Sequence, residues 1–354
     1  MRLERAKELL DQGEPGRALA LLARPVPAAL RPEHEFLSAE CLRSGGCLTR
    51  AAYLYRRLLR RPASDDPALW LESCLGLVSC LRSLGETAEA RRMWILGRKT
   101  AASVGTRDIR EKLDLEGALI DRAAGRYRRS LVKLRRLLAR RRRERDWAGA
   151  GYVLWAMGGA LRFSGDLAGS RRAFWESLAL CRRARDAAGA AYALFGLGGV
   201  TRIQGRLAEA GRHYACALKA VTGTEDAFGQ AYAHCGLANV LRQKGKLREA
   251  ERHYRLAHRL YRRIGDPVDL AYVDWGLGQI YLRRGELGAA EKRLRLALAA
   301  FMRGGETRGI VLSETSWAGL LHARGQAARA ESIFARALRR ARQAGIHAHL
   351  EVFT

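Results

Sequence analysis

The sequence predicts an all-α protein, a solenoid of about nine two-helix repeats. Three observations lead to this fold class. Glycine returns every forty residues along most of the 354-residue chain. Small and bulky residues return at fixed distances after each of these glycines. Clusters of Gly, Pro, Asp and Thr separate the remaining segments, as expected where helices end and restart.

The recurring glycine marks the end of the first helix of each repeat. Glycine has no Cβ, so it adopts the left-handed conformation common just after a helix C-terminus. The later glycines are forty residues apart, and the two earliest intervals are 33 and 39 residues. The positions are Gly13, Gly46, Gly85, Gly125, Gly165, Gly205, Gly245, Gly285 and Gly325. Repeat positions are counted from these glycines.

The second helix of each repeat carries a small residue five positions after the glycine and a bulky one nine positions after it. The small residue lets two helices approach closely, and the bulky one fills the space between them one turn later. The bulky residues are Leu22, Tyr55, Trp94, Leu134, Phe174, Tyr214, Tyr254, Leu294 and Phe334. This spacing is typical of an amphipathic helix.

The repeats predict one uninterrupted domain over residues 1–354, because an array of stacked units needs no division. The expected units are 1–31, 32–70, 71–110, 111–150, 151–190, 191–230, 231–270, 271–310 and 311–350.

The seventh repeat resembles a tetratricopeptide repeat (TPR). Its sequence is Gly245-Lys-Leu-Arg-Glu-Ala250-Glu-Arg-His-Tyr254-Arg-Leu-Ala257, preceded by Gly236-Leu-Ala-Asn-Val-Leu241. The forty-residue length is similar to the long-helix subtype found in LGN/Pins adaptors and kinesin light chains. The resemblance implies a right-handed superhelix whose first helices line the concave side, and a role in binding partners rather than in catalysis.

The resemblance also implies which positions face the concave groove. Three before the glycine stands the arginine row, which consists of Arg43, Arg82, Arg122, Arg162, Arg202 and Arg242. Thirteen before it stands the tyrosine row, which consists of Tyr152, Tyr192, Tyr232 and Tyr272. Between the rows most residues are small, which predicts a bare groove floor. Asn239 and Gln279 are the amides there, where the adaptor subtype often carries asparagines that bind a peptide backbone.

We interpret these residues as a partner-binding groove. Guanidinium groups bind carboxylates or phosphates through two parallel hydrogen bonds, and tyrosines supply rigid contact area. The alternative is that both rows are inherited by repeat duplication, with the tyrosines packed between neighbouring first helices.

A further basic run lies on the second helix of the fourth repeat. It includes the outer basic patch, which consists of Arg135, Arg136, Arg140, Arg141, Arg142 and Arg143. Leu131, Leu134, Leu137 and Leu138 mark the buried side of this helix, so the charges cover its outer face. This face is either simply solvated or a docking site for nucleic acid or an acidic surface.

The charge balance is strongly positive, with 64 Lys and Arg against 36 Asp and Glu and a net charge of +28. Such a surface attracts polyanions or acidic proteins. No stretch approaches twenty uncharged apolar residues, and the N-terminus lacks the apolar core of a secretory signal. These features predict a cytoplasmic protein without a membrane span.

Motifs for catalysis and for cofactors are absent from the sequence. It contains no P-loop and no nucleophile elbow, and its histidines are scattered over different repeats. We therefore expect no enzymatic activity, no cofactor and no metal site. The seven cysteines lie in apolar helical patterns, which predicts buried free thiols.

The leading functional hypothesis is a protein-interaction scaffold or adaptor. Its basic groove would bind an acidic or extended segment of a partner protein, and the chain could serve as a subunit of a larger complex. The alternative is binding of RNA or single-stranded nucleic acid, with arginines on phosphates and aromatic residues stacking on bases. The array also lacks a polar capping helix after the ninth repeat. The face near Ile333, Phe334 and Leu338 is therefore expected to be covered by a partner, a second copy or the chain's own tail.

Overall fold

The computed structural model describes residues 2–346, and this part of the chain is an all-α repeat solenoid. Eighteen α-helices form nine consecutive pairs, and a short 3-10 helix, Ala28–Leu30, precedes the second pair. The first helices of the pairs are α1 (Arg2–Asp11), α3 (Arg31–Ser44), α5 (Pro67–Ser83), α7 (Arg107–Ala123), α9 (Trp147–Phe163), α11 (Ala187–Ile203), α13 (Ala227–Gln243), α15 (Pro267–Arg283) and α17 (Thr307–Ala323). The second helices are α2 (Pro15–Leu21), α4 (Leu48–Leu58), α6 (Thr87–Val104), α8 (Tyr127–Arg143), α10 (Leu167–Arg183), α12 (Leu207–Val221), α14 (Leu247–Ile264), α16 (Leu287–Gly304) and α18 (Ala327–Gln343).

The chain divides into two compact units. The first unit contains the residues up to Arg140 together with the turns Val221–Phe228 and Arg263–Asp266. The second unit contains Arg141–Ala220, Gly229–Arg262 and the described residues from Pro267 onward. Within each unit, consecutive helices pack against one another.

The turn after each first helix confirms the role predicted for the recurring glycine. All nine glycines have φ between 73° and 92°, in the left-handed region that disfavours other residues. The turn after the second helix is less uniform. Gly265 and Gly305 have positive φ there, but Arg145 and Arg185 occupy the corresponding position with φ of 56°.

The first helices from the third pair onward begin about four residues before the expected unit boundaries. Asp146 and Asp186 explain two of these starts, because their carboxylates accept hydrogen bonds from the backbone N–H groups of Gly149 and Gly189 at 2.8 Å. A side chain that accepts a bond from an unpaired N–H of the first turn fixes the helix start.

In the fifth and sixth repeats, the bulky residue nine positions after the glycine lies against glycines of two first helices. Tyr214 packs on Gly198 of its own repeat and on Gly236 of the next, and a Cβ at either glycine would overlap its ring. Phe174 packs on Gly158 and Gly196 in the same way. These glycines therefore make room for an aromatic ring. Gly196 and Gly236 are two of the small residues predicted to form the groove floor, so their small size accommodates a ring of the second helix.

The cysteines only partly match the prediction. All seven are free thiols, and Cys41, Cys74, Cys80 and Cys181 are buried. Burial raises the pKa of Cys41 to about 11 and the pKa of Cys80 to about 12, which keeps both protonated. Cys216 is exposed, however, because it lies on the solvent side of α12.

No helix among residues 2–346 combines the length and apolar character that crossing a membrane requires.

Candidate partner-binding site

In the first unit, two members of the arginine row are neutralised by carboxylates. The Arg82 side chain lies 2.9 Å from the Glu116 carboxylate, and both side chains are 14% exposed. Arg43 pairs with Glu40, which also accepts a hydrogen bond from the hydroxyl of Tyr55. Arg122 is half-buried at the end of α7. The guanidinium charges of Arg43 and Arg82 are therefore balanced within the fold.

In the second unit, Arg202 and Arg242 are bonded to tyrosine hydroxyls instead. The Arg242 Nε–H donates to the hydroxyl of Tyr254 at 3.3 Å, and Arg202 donates to that of Tyr214. Burial raises the pKa of Tyr254 to about 12, so its hydroxyl stays neutral. Both arginines are buried, and Arg242 forms no ion pair with any described residue. Its Nη2 is buried without a hydrogen-bond partner in the described chain.

Arg162 is the least satisfied member of the row. The residue nine after its glycine is Phe174, which has no hydroxyl to offer. Within residues 2–346, Arg162 forms neither an ion pair nor a hydrogen bond, and its buried Nε has no partner. Its guanidinium lies over the ring of Phe163 at 4.8 Å, and the residue is half-buried.

The tyrosine row is extended by aromatic residues three positions later on the same helices. Successive ring centroids from Tyr152 to Trp155, Tyr192, Phe195 and Tyr232 are separated by 5.4, 6.1, 5.5 and 5.3 Å. We call these five residues the aromatic row. Tyr152 is 43% exposed, whereas Phe195 is buried, so the row is partly core and partly surface.

The remaining predicted groove residues have their side-chain polar groups bonded within the fold. Tyr272 donates to Glu306 at 2.9 Å and packs on Phe301. Asn239 accepts from the hydroxyl of Tyr254 at 2.8 Å and donates to the carbonyl of Cys235. Gln279 donates to the hydroxyl of Ser316.

The outer basic patch is half neutralised. Arg140 lies 3.0 Å from Glu111, Arg141 lies 3.1 Å from Asp146, and Arg142 pairs with Glu176. Arg135, Arg136 and Arg143 are exposed on α8.

A histidine pair was missed by sequence reasoning, which treated the histidines as scattered. His234 on α13 and His253 on α14 place their Nδ1 atoms 3.0 Å apart. Burial lowers the pKa of both, and for His234 the neighbouring imidazole lowers it further. The repeat register could have predicted this contact. Asp274 and Arg293 occupy the same two positions in the next repeat and form an ion pair of 2.7 Å.

No third potential metal ligand joins the histidine pair among the described residues. No group of three or more potential metal ligands occurs within residues 2–346. His347 and His349 lie outside the described residues.

Comparison with known proteins supports a TPR-type repeat fold. Residues 135–272 match the family described as the MalT-like TPR region. No curated protein matches the chain. The finer likeness to LGN/Pins adaptors or kinesin light chains is not confirmed.

Solved structures share this fold at low sequence identity. A Rap protein complexed with Competence and Sporulation Factor aligns with a TM-score of 0.72 and 11% identity, over 97% of both chains. Aspartyl phosphate phosphatase F from Bacillus subtilis gives 0.59 and 10%, over 98% of this chain and 94% of its own. The APC/C hetero-tetramer Cut9-Hcn1 gives 0.60 and 14%, over 92% of this chain and 60% of its own. The chain thus shares the TPR-type solenoid fold of these structures.

Proposed function

We propose that the chain is a non-catalytic scaffold or adaptor that binds an acidic, extended segment of a partner protein along its first helices. Arg162 carries the proposal. Its half-buried guanidinium has no ion pair or hydrogen bond in residues 2–346, so its N–H groups can donate to the carboxylate of a partner. The net charge of +28 favours an acidic partner by attraction and fast encounter.

The fold relatives support a protein partner. The Rap structure contains Competence and Sporulation Factor, and Cut9 is assembled with Hcn1. Holding another molecule is therefore compatible with this architecture. We place the protein in the cytoplasm and propose that it works as a subunit of a larger complex.

The last repeat offers a second contact surface. Ile333 and Phe334 on α18 are half-buried and pack on Ala318 and Leu321. We propose that a partner or a second copy covers the remainder of this face. Light scattering at micromolar concentration tests self-association, and a purely monomeric protein would contradict it.

The alternative function is binding of single-stranded nucleic acid. Exposed Arg135 and Arg136 and the exposed ring of Tyr152 favour it, since phosphates and bases bind to such groups. Phosphate binding of this kind weakens steeply as salt rises.

Fluorescence anisotropy with a labelled polyglutamate peptide and a labelled oligouridine RNA separates the two functions. We expect the peptide to bind, and we expect Arg162→Gln to weaken it while Arg172→Gln does not. Arg172 is exposed on the second helix α10 and provides the matched loss of one charge. RNA binding without peptide binding would overturn the proposal in favour of the alternative.

A further inference from the structure

We infer that Arg162, Arg202 and Arg242 recognise one carboxylate for every three residues of an extended partner segment held in the polyproline II conformation. This inference rests on the proposed function and adds the spacing and conformation of the ligand. It concerns the second unit alone.

The spacing of the repeats carries the argument. Two steps of 5.3 to 6.1 Å join each tyrosine of the aromatic row to the next, so successive tyrosines lie within about 12 Å of each other. Packed helices have axes about 8–10 Å apart, which sets the lower limit. Successive tyrosine rings are therefore about 8–12 Å apart, and we take the same spacing for the arginines, because each lies ten residues after a tyrosine on the same helix.

Only one extended conformation repeats its side chains at that distance on one face. A polyproline II helix has three residues per turn and rises about 3.1 Å per residue, so equivalent side chains recur about every 9 Å. In a β-strand, side chains on one face recur about every 7 Å, with the next about 13 Å away. The spacing of the repeats therefore matches a polyproline II segment and does not match a β-strand.

The arginines differ in how readily they accept a carboxylate. Arg162 is half-buried and has no competing acceptor, so it anchors the segment. Arg202 and Arg242 are buried and donate hydrogen bonds to neutral tyrosine hydroxyls. Binding of the partner's carboxylates requires their side chains to turn outward. The exchange is favourable because a carboxylate adds an opposite charge and accepts two parallel hydrogen bonds from one guanidinium, which a neutral tyrosine hydroxyl cannot do.

The aromatic row provides the second contact for such a segment. Each tyrosine precedes an arginine of the row by ten residues on the same helix, or about 15 Å along its axis. The accessible ring of Tyr152 lies on the same helix as Arg162. Aromatic side chains commonly receive polyproline II segments, which lose little entropy on binding.

The test compares two peptides of identical composition with the full chain. Each has four glutamates and eight prolines; one carries glutamate at every third position and the other at every second. Affinities are measured by isothermal titration calorimetry for the natural chain, Arg162→Gln, Arg162→Lys and Arg172→Gln. Thermal unfolding of every variant verifies that it is folded.

We expect the every-third peptide to bind roughly tenfold or more tightly than the every-second peptide, the effect of one charge-assisted contact. Arg162→Gln should weaken binding of the every-third peptide and reduce the preference, Arg162→Lys should retain more of it, and Arg172→Gln should leave it intact. Equal affinities for the two peptides would overturn this inference but not the proposed function. Failure of both peptides to bind at low salt would overturn both.

Discussion

The arginine row has two different chemical states in the two units. In the first unit, Arg43 and Arg82 are paired with Glu40 and Glu116. In the second, Arg202 and Arg242 donate hydrogen bonds to tyrosine hydroxyls. Arg162 has neither a carboxylate nor a hydroxyl partner in the described chain. One repeat position is therefore neutralised by carboxylates in the first unit, and at Arg162 of the second unit we propose that it binds a partner.

The largest expected effect on stability concerns the glycines of the second unit against which the Tyr214 and Phe174 rings pack. Gly236→Ala would drive a Cβ into the ring of Tyr214, the residue that holds Arg202. We expect the free energy of unfolding to fall by about 3 kcal/mol, the upper range for overpacking a core. Urea denaturation measures this.

Gly211→Ala on α12 is the matched control. Its Cβ would meet only Val240 at 3.7 Å, so we expect a small gain in stability from the better helix propensity of alanine. Equal losses of stability in the two variants would mean that the Tyr214 ring does not require a glycine at position 236.

The second effect concerns the carboxylates of the first unit. Glu116→Gln should lower the free energy of unfolding by about 2 kcal/mol, since it removes a charged hydrogen-bond partner from the nearly buried Arg82. Arg162→Gln should change stability far less. Equal losses in the two variants, measured by urea denaturation, would remove the distinction between the units.

The third effect would satisfy Arg162 within the fold. Phe174 occupies the place of Tyr214 and Tyr254, so Phe174→Tyr should bring a hydroxyl to Arg162 and raise the free energy of unfolding by about 1 kcal/mol. Affinity for an acidic peptide should fall, because the hydroxyl competes for the guanidinium. Calorimetry that finds the affinity unchanged would argue against Arg162 as the anchor.

The smallest effect is a pH dependence confined to the second unit. Burial lowers the pKa of His234 and His253, so the unfolded chain binds protons more readily than the folded one. Their stabilising contribution is therefore complete at neutral pH and decreases as pH falls below the ordinary value of about 6.5.

Amide hydrogen exchange at pH 7.5 and 5.5, corrected for intrinsic rates, tests this. Protection of α13 and α14 should fall at the lower pH, and the double variant His234→Gln with His253→Gln should show a smaller fall. An unchanged fall in the double variant would mean that other groups cause it.

The sequence predicted the fold well because one glycine and one bulky residue define each repeat, and both act through local geometry. The arginine row was also visible, but which of its members are neutralised was not recognised. That depends on Glu40, six before its glycine, and Glu116, nine before its own, where the repeats of Arg162, Arg202 and Arg242 carry Gly, Ala or Asn. The hydrogen bond between Arg242 and Tyr254 joins a first helix to a second helix, so the pattern of the first helices alone could not predict it.

The most direct test of the account is a crystal structure of the chain with the every-third glutamate peptide. We predict that one glutamate carboxylate binds the Arg162 guanidinium, that the next binds Arg202, and that the backbone adopts polyproline II geometry. A peptide bound instead to the outer basic patch, or lying along the first helices without contacting Arg162, would contradict it.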